Sequence, residues 1–276
     1  MTDQTTDTNG AFRALVVDDN AMSRKMLEHR LVKDGHQVTC VTSGEEALDY
    51  VVNHPVDVMF LDLHLTGIDG IEVLKALKAD EKTSDINVVM VSGSDREEAV
   101  IESLRAGAKV FLHKPVAAQD LRDAMHKLSG SSIRENHNGT PPSISPNTSA
   151  EPVISIEDSP VLNPAQLQQL LRDYGATETT GFINRFAELA PGQCEYVQDR
   201  AATGDVNEWR FAVHDLKGSA RSVGLVRLGT ICRDIERAFD EDRIEDAASL
   251  TALLPDQLEH ALATLRQQGA QITGET

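Results

Sequence analysis

Basic residues are scarce in this chain of 276 residues: 26 Lys and Arg stand against 44 Asp and Glu, a formal net charge of −18. Binding to nucleic acid or to an anionic membrane draws on concentrated Lys and Arg, so this balance speaks against both. Aromatic residues, at 4%, leave little for base stacking. Cysteine is also rare. Cys40, Cys194 and Cys232 are too few and too far apart for a disulfide framework or a zinc site, which fits reduced thiols in a cytoplasmic protein. No apolar run reaches the roughly 18 to 20 residues that span a bilayer, so no membrane insertion is expected. Met1 to Gly10 has neither the basic start nor the apolar stretch of a signal peptide. Hydrophobic residues, at 40%, are ample for packed cores.

One stretch differs from the rest. Residues 129–160 are rich in Ser, Pro, Asn, Thr and Gly, contain Pro141-Pro142, and show almost no apolar periodicity, which marks a flexible linker. It separates two acidic bodies, 12–128 and 161–268, with a disordered tail expected over 1–11 and a polar tail over 269–276.

The first body alternates apolar strands with amphipathic helices. Strands are expected at 14–17, 37–41, 56–61, 87–91 and 109–112, and helices at 21–34, 44–52, 70–77, 97–106 and 119–128. Five such units predict an α/β domain, a five-stranded parallel doubly wound sheet with helices on both faces. The second body has no strands. Helices are expected at 166–171, 182–201, 206–223, 225–239 and 244–265, with Pro191 and Pro255 kinking or dividing theirs. This predicts a separate all-α four-helix bundle.

In an open parallel sheet, ligands bind beyond the carboxyl ends of the strands. Here those ends carry Asp18 and Asp19, Asp62, Ser92, and Lys114 followed by Pro115. Three carboxylates gathered together repel one another unless a hard cation sits among them. Mg²⁺ takes a few oxygen ligands from protein and leaves positions for water and phosphate. A Lys and a hydroxyl on the same rim suit an anion bound beside that metal.

The segments 15–20 (LVVDDN), 60–70 (FLDLHLTGIDG), 89–93 (VMVSG) and 111–115 (FLHKP) resemble the receiver domain of two-component response regulators, over about residues 12–128. The resemblance implies that Asp62 accepts a phosphoryl group. It implies that Asp18, Asp19, Asp62 and the backbone carbonyl of His64 hold Mg²⁺, and that Ser92 and Lys114 contact the phosphoryl oxygens. Phe111 occupies the aromatic switch position, and the Lys114-Pro115 bond is expected to be cis. Two positions depart from the pattern. Thr66 stands where the family usually has Pro, and His64 occupies a position that tunes phosphoryl lifetime.

His214 stands out in the second body. Val206, Trp209, Val213, Leu216, Ala220 and Val223 form the apolar stripe of its helix, and His214 lies about 100° around from Val213. Lys217, Gly218 and Arg221 follow at helical spacing, so the four are expected to share one exposed face serving as a docking surface. A mid-helix Gly costs about 1 kcal/mol relative to Ala; at 218 it removes a side chain where a partner would approach the imidazole. The motif 214–220 (HDLKGSA) resembles that of a histidine-containing phosphotransfer (HPt) domain, over roughly 162–268. Asp215 sits where a small or hydroxyl residue is commoner.

An aspartyl and a histidyl acceptor in one chain imply a phosphorelay. The sequence shows no Gly-rich ATP loop or kinase catalytic-loop pattern, so it reads as a phosphotransfer intermediate rather than an enzyme. Its expected partners are a hybrid sensor histidine kinase and other receiver-domain proteins. Two alternatives stand beside this reading: an aspartyl-phosphate phosphatase of the haloacid-dehalogenase type, and a stoichiometric receiver switch with an inactive HPt domain.

Overall fold

A computed structural model describes residues 11–93, 97–129 and 159–273. The expected N-terminal tail, apart from residue 11, and most of the expected linker lie outside the described residues.

The first body is built as β1 (Arg13–Val17), α1 (Ala21–Lys33), β2 (Gln37–Val41), α2 (Gly44–Asn53), β3 (Val58–Asp62), α3 (Gly70–Ala79), β4 (Asn87–Ser92), α4 (Glu97–Arg105), β5 (Val110–His113) and α5 (Ala118–Leu128). The strands form one parallel sheet in the order β2-β1-β3-β4-β5. The pleat divides each central strand between two apolar layers. Leu15, Val17, Met59, Leu61, Val88 and Met90 face one layer. Ala14, Val16, Val58, Phe60, Val89 and Val91 face the other, with Leu27 and Leu31 of α1 and Leu121 of α5. Burial on both faces explains the unbroken apolar run of β3.

The register positions the strand ends. Val17 pairs with Leu61, so Asp18 and Asp62 emerge side by side; Ser92 pairs with His113, which brings Lys114 to the same edge. Gly70 opens α3 against this edge. A Cβ there would lie 2.1 Å from the carbonyl oxygen of Asp62, so only glycine lets the helix start this close. Asp69 and Glu72 complete a capping box at that start.

The second body contains α6 (Pro164–Tyr174), α7 (Ala176–Thr203), α8 (Val206–Ser222), α9 (Val226–Asp240), α10 (Ile244–Thr251) and α11 (Leu254–Thr273). Helices α7, α8, α9 and α11 close a four-helix ring around Phe186, Val213, Leu216, Ile231, Ile235 and Leu258. Three expectations are corrected here. Pro191 does not divide α7, which runs unbroken for 28 residues; Pro191 lies on an exposed side of the helix, where solvent can satisfy the carbonyl that loses its N–H donor. The segment expected at 244–265 is divided as Pro255 predicts, into two helices separated at 252–253 with Pro255 in the first turn of α11. Helix α11 continues to Thr273, so the first part of the expected polar tail is helical. The expected linker also ends early: Ser159 is buried, and its carbonyl accepts from Arg227 Nε at 2.8 Å.

No described helix is long and apolar enough to cross a membrane.

Candidate functional site: two centres that face each other

Asp18, Asp19 and Asp62 each place a carboxylate oxygen within 4.8 Å of the others, as the strand ends predict. Lys114 joins them, with Nζ 2.7 Å from Asp18 Oδ2 and 2.5 Å from Asp62 Oδ2. The Lys114-Pro115 bond is cis. Further donors fix the acids. Ser23 Oγ donates to Asp18 Oδ2 at 2.7 Å and the Asn20 N–H to Asp18 Oδ1 at 3.0 Å. The N–H of His64 donates to Asp62 Oδ1 at 3.3 Å. Ser92 is buried at the same edge, and Phe111 is half-buried against the apolar layer that includes Ala99 and Ala106.

Thr66 has a structural role here. Its N–H and its hydroxyl both donate to Asp19 Oδ2, at 2.9 and 3.0 Å. A proline at that position could supply neither bond.

One ammonium faces three acids, and the titration of the cluster reflects that imbalance. Burial raises the Asp62 carboxyl to about 6, with the charge of Asp18 adding to it and Lys114 opposing. Burial and Asp18 likewise raise Asp19, against the bonds from Thr66. Such an excess of close, partly desolvated carboxylate charge suits a hard divalent cation.

The second centre is His214 on α8. Its Nδ1 lies 2.8 Å from Glu236 Oε1 on α9, and Lys217 Nζ donates to Glu236 Oε2 at 2.5 Å. Burial works to raise the Glu236 carboxyl, but the His214 hydrogen bond and the Lys217 charge outweigh it and hold the group at about 2. Glu236 is therefore an acceptor only. Nδ1 must carry the hydrogen between them, which leaves the Nε2 lone pair of a neutral His214 uncommitted to this bond. The sequence reading missed Glu236. Its only signal is an acid bordering the apolar stripe of α9, next to Ile235.

The expected exposed face is corrected. The His214 side chain is only 19% exposed and that of Lys217 only 6%. Glu236 draws Lys217 into the α8–α9 seam, and the first body covers the rest. Met22 and Met26 of α1 belong to the same buried cluster as the bundle core. Arg30 and Lys33 donate to the Asp173 carbonyl at 3.1 and 3.0 Å. His29 packs edge-on against Phe182.

This docking brings the two centres together. The rings of His64 and His214 meet edge to face, with centroids 4.7 Å apart. Desolvation there, together with the charges of His214 and Lys217, pushes the His64 imidazole down, although the residue as a whole is exposed. Asp19, Asp62, Lys114, His214, Gly218 and Arg221 line one small cavity of about 20 Å³, roughly the space of a single water. Every residue expected at the two centres thus lies at or beside this junction, except Phe111, which sits on the α4 side of the sheet. In the phosphatase alternative, the second acid of the nucleophile motif falls on His64, whose ring faces the bundle.

Comparison with known proteins agrees with this division. Residues 14–126 match the response regulator receiver domain, and residues 164–268 match the Hpt domain. The sensory/regulatory protein RpfC of Xanthomonas campestris pv. campestris is 28% identical over 233 residues, 83% of this chain and 31% of its own length. Sensor histidine kinase GacS of Pseudomonas protegens is 24% identical over 266 residues, 92% of this chain and 27% of its own. The chain therefore spans a third or less of these two relatives. Chemotaxis protein CheY of Bacillus subtilis is 33% identical over 118 residues, 42% of this chain and 97% of its own length. The chain accordingly belongs to the response regulator receiver domain family, with a domain of the Hpt family following in the same polypeptide.

Proposed function

We propose that this chain is a phosphorelay protein that carries a phosphoryl group on Asp62 and on His214 and passes it directly between them. The observation that supports this most is the shared cavity, in which the Asp62 carboxylate and the His214 imidazole both take part.

The chemistry follows from the groups present. In the first step an Asp62 oxygen attacks a phosphodonor; a new P–O bond forms as the donor's bond to phosphorus breaks, and the donor leaves with that electron pair. In the second, the His214 Nε2 lone pair attacks the same phosphorus; a P–N bond forms, and the P–O bond to Asp62 breaks to return the carboxylate. The hydrogen on Nδ1 stays with the ring, held by Glu236, so no proton has to leave. The reverse sequence returns the group to Asp62. Asp18, Asp19, Asp62 and the His64 carbonyl would hold Mg²⁺, which, when bound, neutralises charge on the phosphoryl oxygens. Lys114 bridges Asp18 and Asp62, and Ser92 lies at the same edge; in this reading both would bind those oxygens. Arg221 adds positive charge on the His214 side.

The outside partners in this reading are a hybrid sensor histidine kinase and separate receiver proteins. The resemblance to a sensor histidine kinase supports it. Loading the chain with a small-molecule phosphodonor tests the core of the proposal. Wild type should carry label on both residues, Asp62→Asn on neither, and His214→Gln on Asp62 alone. Label on neither residue of the wild type would overturn it.

A further inference from the structure

A buried polar clasp joins the two domains beside the reaction cavity. Asn20, the residue after the acid pair, is 4% exposed. Its Nδ2, which carries two hydrogens, has three acceptors within reach across the interface: Asp215 Oδ1 at 2.8 Å, the Asp215 carbonyl at 2.9 Å and Ser219 Oγ at 2.9 Å. Gln193 of α7 completes the set, with Nε2 2.6 Å from Asp215 Oδ2 and 2.9 Å from Ser219 Oγ. Both Asp215 oxygens are thus held by side-chain amides, one from each domain. Gly218 leaves the opening: a Cβ there would lie 3.3 Å from Asn20 Nδ2.

We propose that Asn20 and Asp215 are a recognition pair that reserves His214 for receivers bearing a side-chain amide directly after the acid pair, this chain's own receiver first among them. The inference rests on the reading that Asp62 and His214 exchange a phosphoryl group, and it adds which partners His214 accepts.

The argument is one of donors and charge. Asp215 lies near Asp18, in a protein already strongly acidic, and burial raises its carboxyl against the bonds from Gln193 and Asn20. A carboxylate at position 20 would supply no hydrogen and would set a like charge against Asp215 Oδ1, a juxtaposition that interfaces punish heavily. A shorter hydroxyl would leave a buried carboxylate oxygen without its donor. The clasp is separable from the local fold. Asn20 Oδ1 caps α1 by accepting from the Ser23 N–H at 2.8 Å, and Asp caps a helix as well as Asn does. Changing Asn20 to Asp therefore preserves the start of α1 and alters the face toward Asp215. Asp215 also sits on the bundle, outside the carboxylate cluster, so the pair can be tested from either side.

The full-length chain is loaded at Asp62 with a small-molecule phosphodonor and Mg²⁺. Label on Asp62 and on His214 is separated by the different acid and base lability of acyl phosphate and phosphohistidine. The readout is the rate of appearance on His214 per loaded Asp62, so a change in loading cancels. Asn20→Asp should slow transfer about tenfold or more. In the Asp215→Asn background the same Asn20→Asp change should speed transfer, because the amide now lies on the bundle side and the carboxylate on the receiver side. A reversal of sign between the two backgrounds supports the pair. An effect of the same sign and size in both, or no effect in either, overturns it. Failure of the underlying reading looks different, because His214 then takes no label even in the wild type.

Discussion

Glu236 holds His214 and Lys217 at once, one through each carboxylate oxygen, at 2.8 and 2.5 Å. The imidazole is thereby turned so that its other nitrogen is free of the carboxylate, while a buried ammonium is neutralised. Orientation and charge balance at this centre depend on a residue 22 positions along the chain and on another helix.

Glu236→Gln separates the two roles. The Gln carbonyl can still accept from Nδ1, but its amide cannot pair with Lys217, and an unpaired buried cation is costly. We expect transfer to His214 to slow about tenfold, as weakening a charge-assisted bond by about 1.4 kcal/mol would do, with Asp62 loading unchanged. Adding Lys217→Met should recover stability without recovering the rate. Stability carries a pH signature. The Glu236 carboxyl is depressed in the folded chain to about 2 from an ordinary 4.5, so its contribution is present above the unfolded value and fades as pH falls toward the folded one. Denaturation of wild type and Glu236→Gln should differ most at pH 7, with the gap narrowing below about pH 4.5 and closing only as pH falls to about 2. A gap that widens on acidification would contradict this assignment.

Met26 tests the docking itself. With Met22 it belongs to the buried cluster of the bundle, although both are receiver residues. Burying such a side chain is worth about 1.5–3 kcal/mol, and a charge in its place reverses the sign. Met26→Glu should release the two domains from one another. Small-angle scattering should show a clear rise in the radius of gyration, with helix and sheet content retained. An unchanged radius would mean that the α1 contact does not hold the domains together.

Much of this arrangement is legible in the sequence, and the exceptions share a cause. The five strands announced themselves because each is a short apolar run ending at polar residues, and β3 shows no alternation because both its faces are covered. Asp18, Asp62 and Lys114 were readable as a group because strand order alone brings strand ends together. Residues whose meaning lies in a contact between elements were not readable. Lys217 looked like a solvated cation because Glu236, which buries it, belongs to another helix. Asp215 looked like a departure from its motif because Asn20, its donor, lies 195 positions away. Pro191 looked like a break because helical pattern does not say which side of the helix meets solvent.

Phe111 provides a test of coupling from the phosphorylation centre. It is half-buried on β5, two strands from Asp62, with Ser92 at the end of the strand between them and Lys114 just beyond β5 itself. A beryllofluoride mimic with Mg²⁺ should draw Ser92 and Lys114 toward the new oxygens and let Phe111 bury. Backbone amide resonances of β5 and α4 should shift along with those around Asp62. A spectrum that changes only near Asp62, or not at all, would show that no such switch exists.

Gly218 sets helix stability against docking. A glycine in the middle of α8 costs about 1 kcal/mol relative to alanine. The account lies across the interface, where a Cβ would meet Asn20 Nδ2 at 3.3 Å and Cγ at 3.7 Å. The side chain of Asn20 would have to yield by a few tenths of an ångström, and it is held among three acceptors and by its cap on α1. Gly218→Ala should therefore raise the melting temperature of the bundle while slowing transfer between Asp62 and His214 several-fold. Gly218→Gln, too large for any adjustment, should stop transfer and open the domains as Met26→Glu does, with the bundle still folded. If Gly218→Ala stabilises the bundle and leaves transfer at the wild-type rate, the close approach of Asn20 is not where the phosphoryl group crosses.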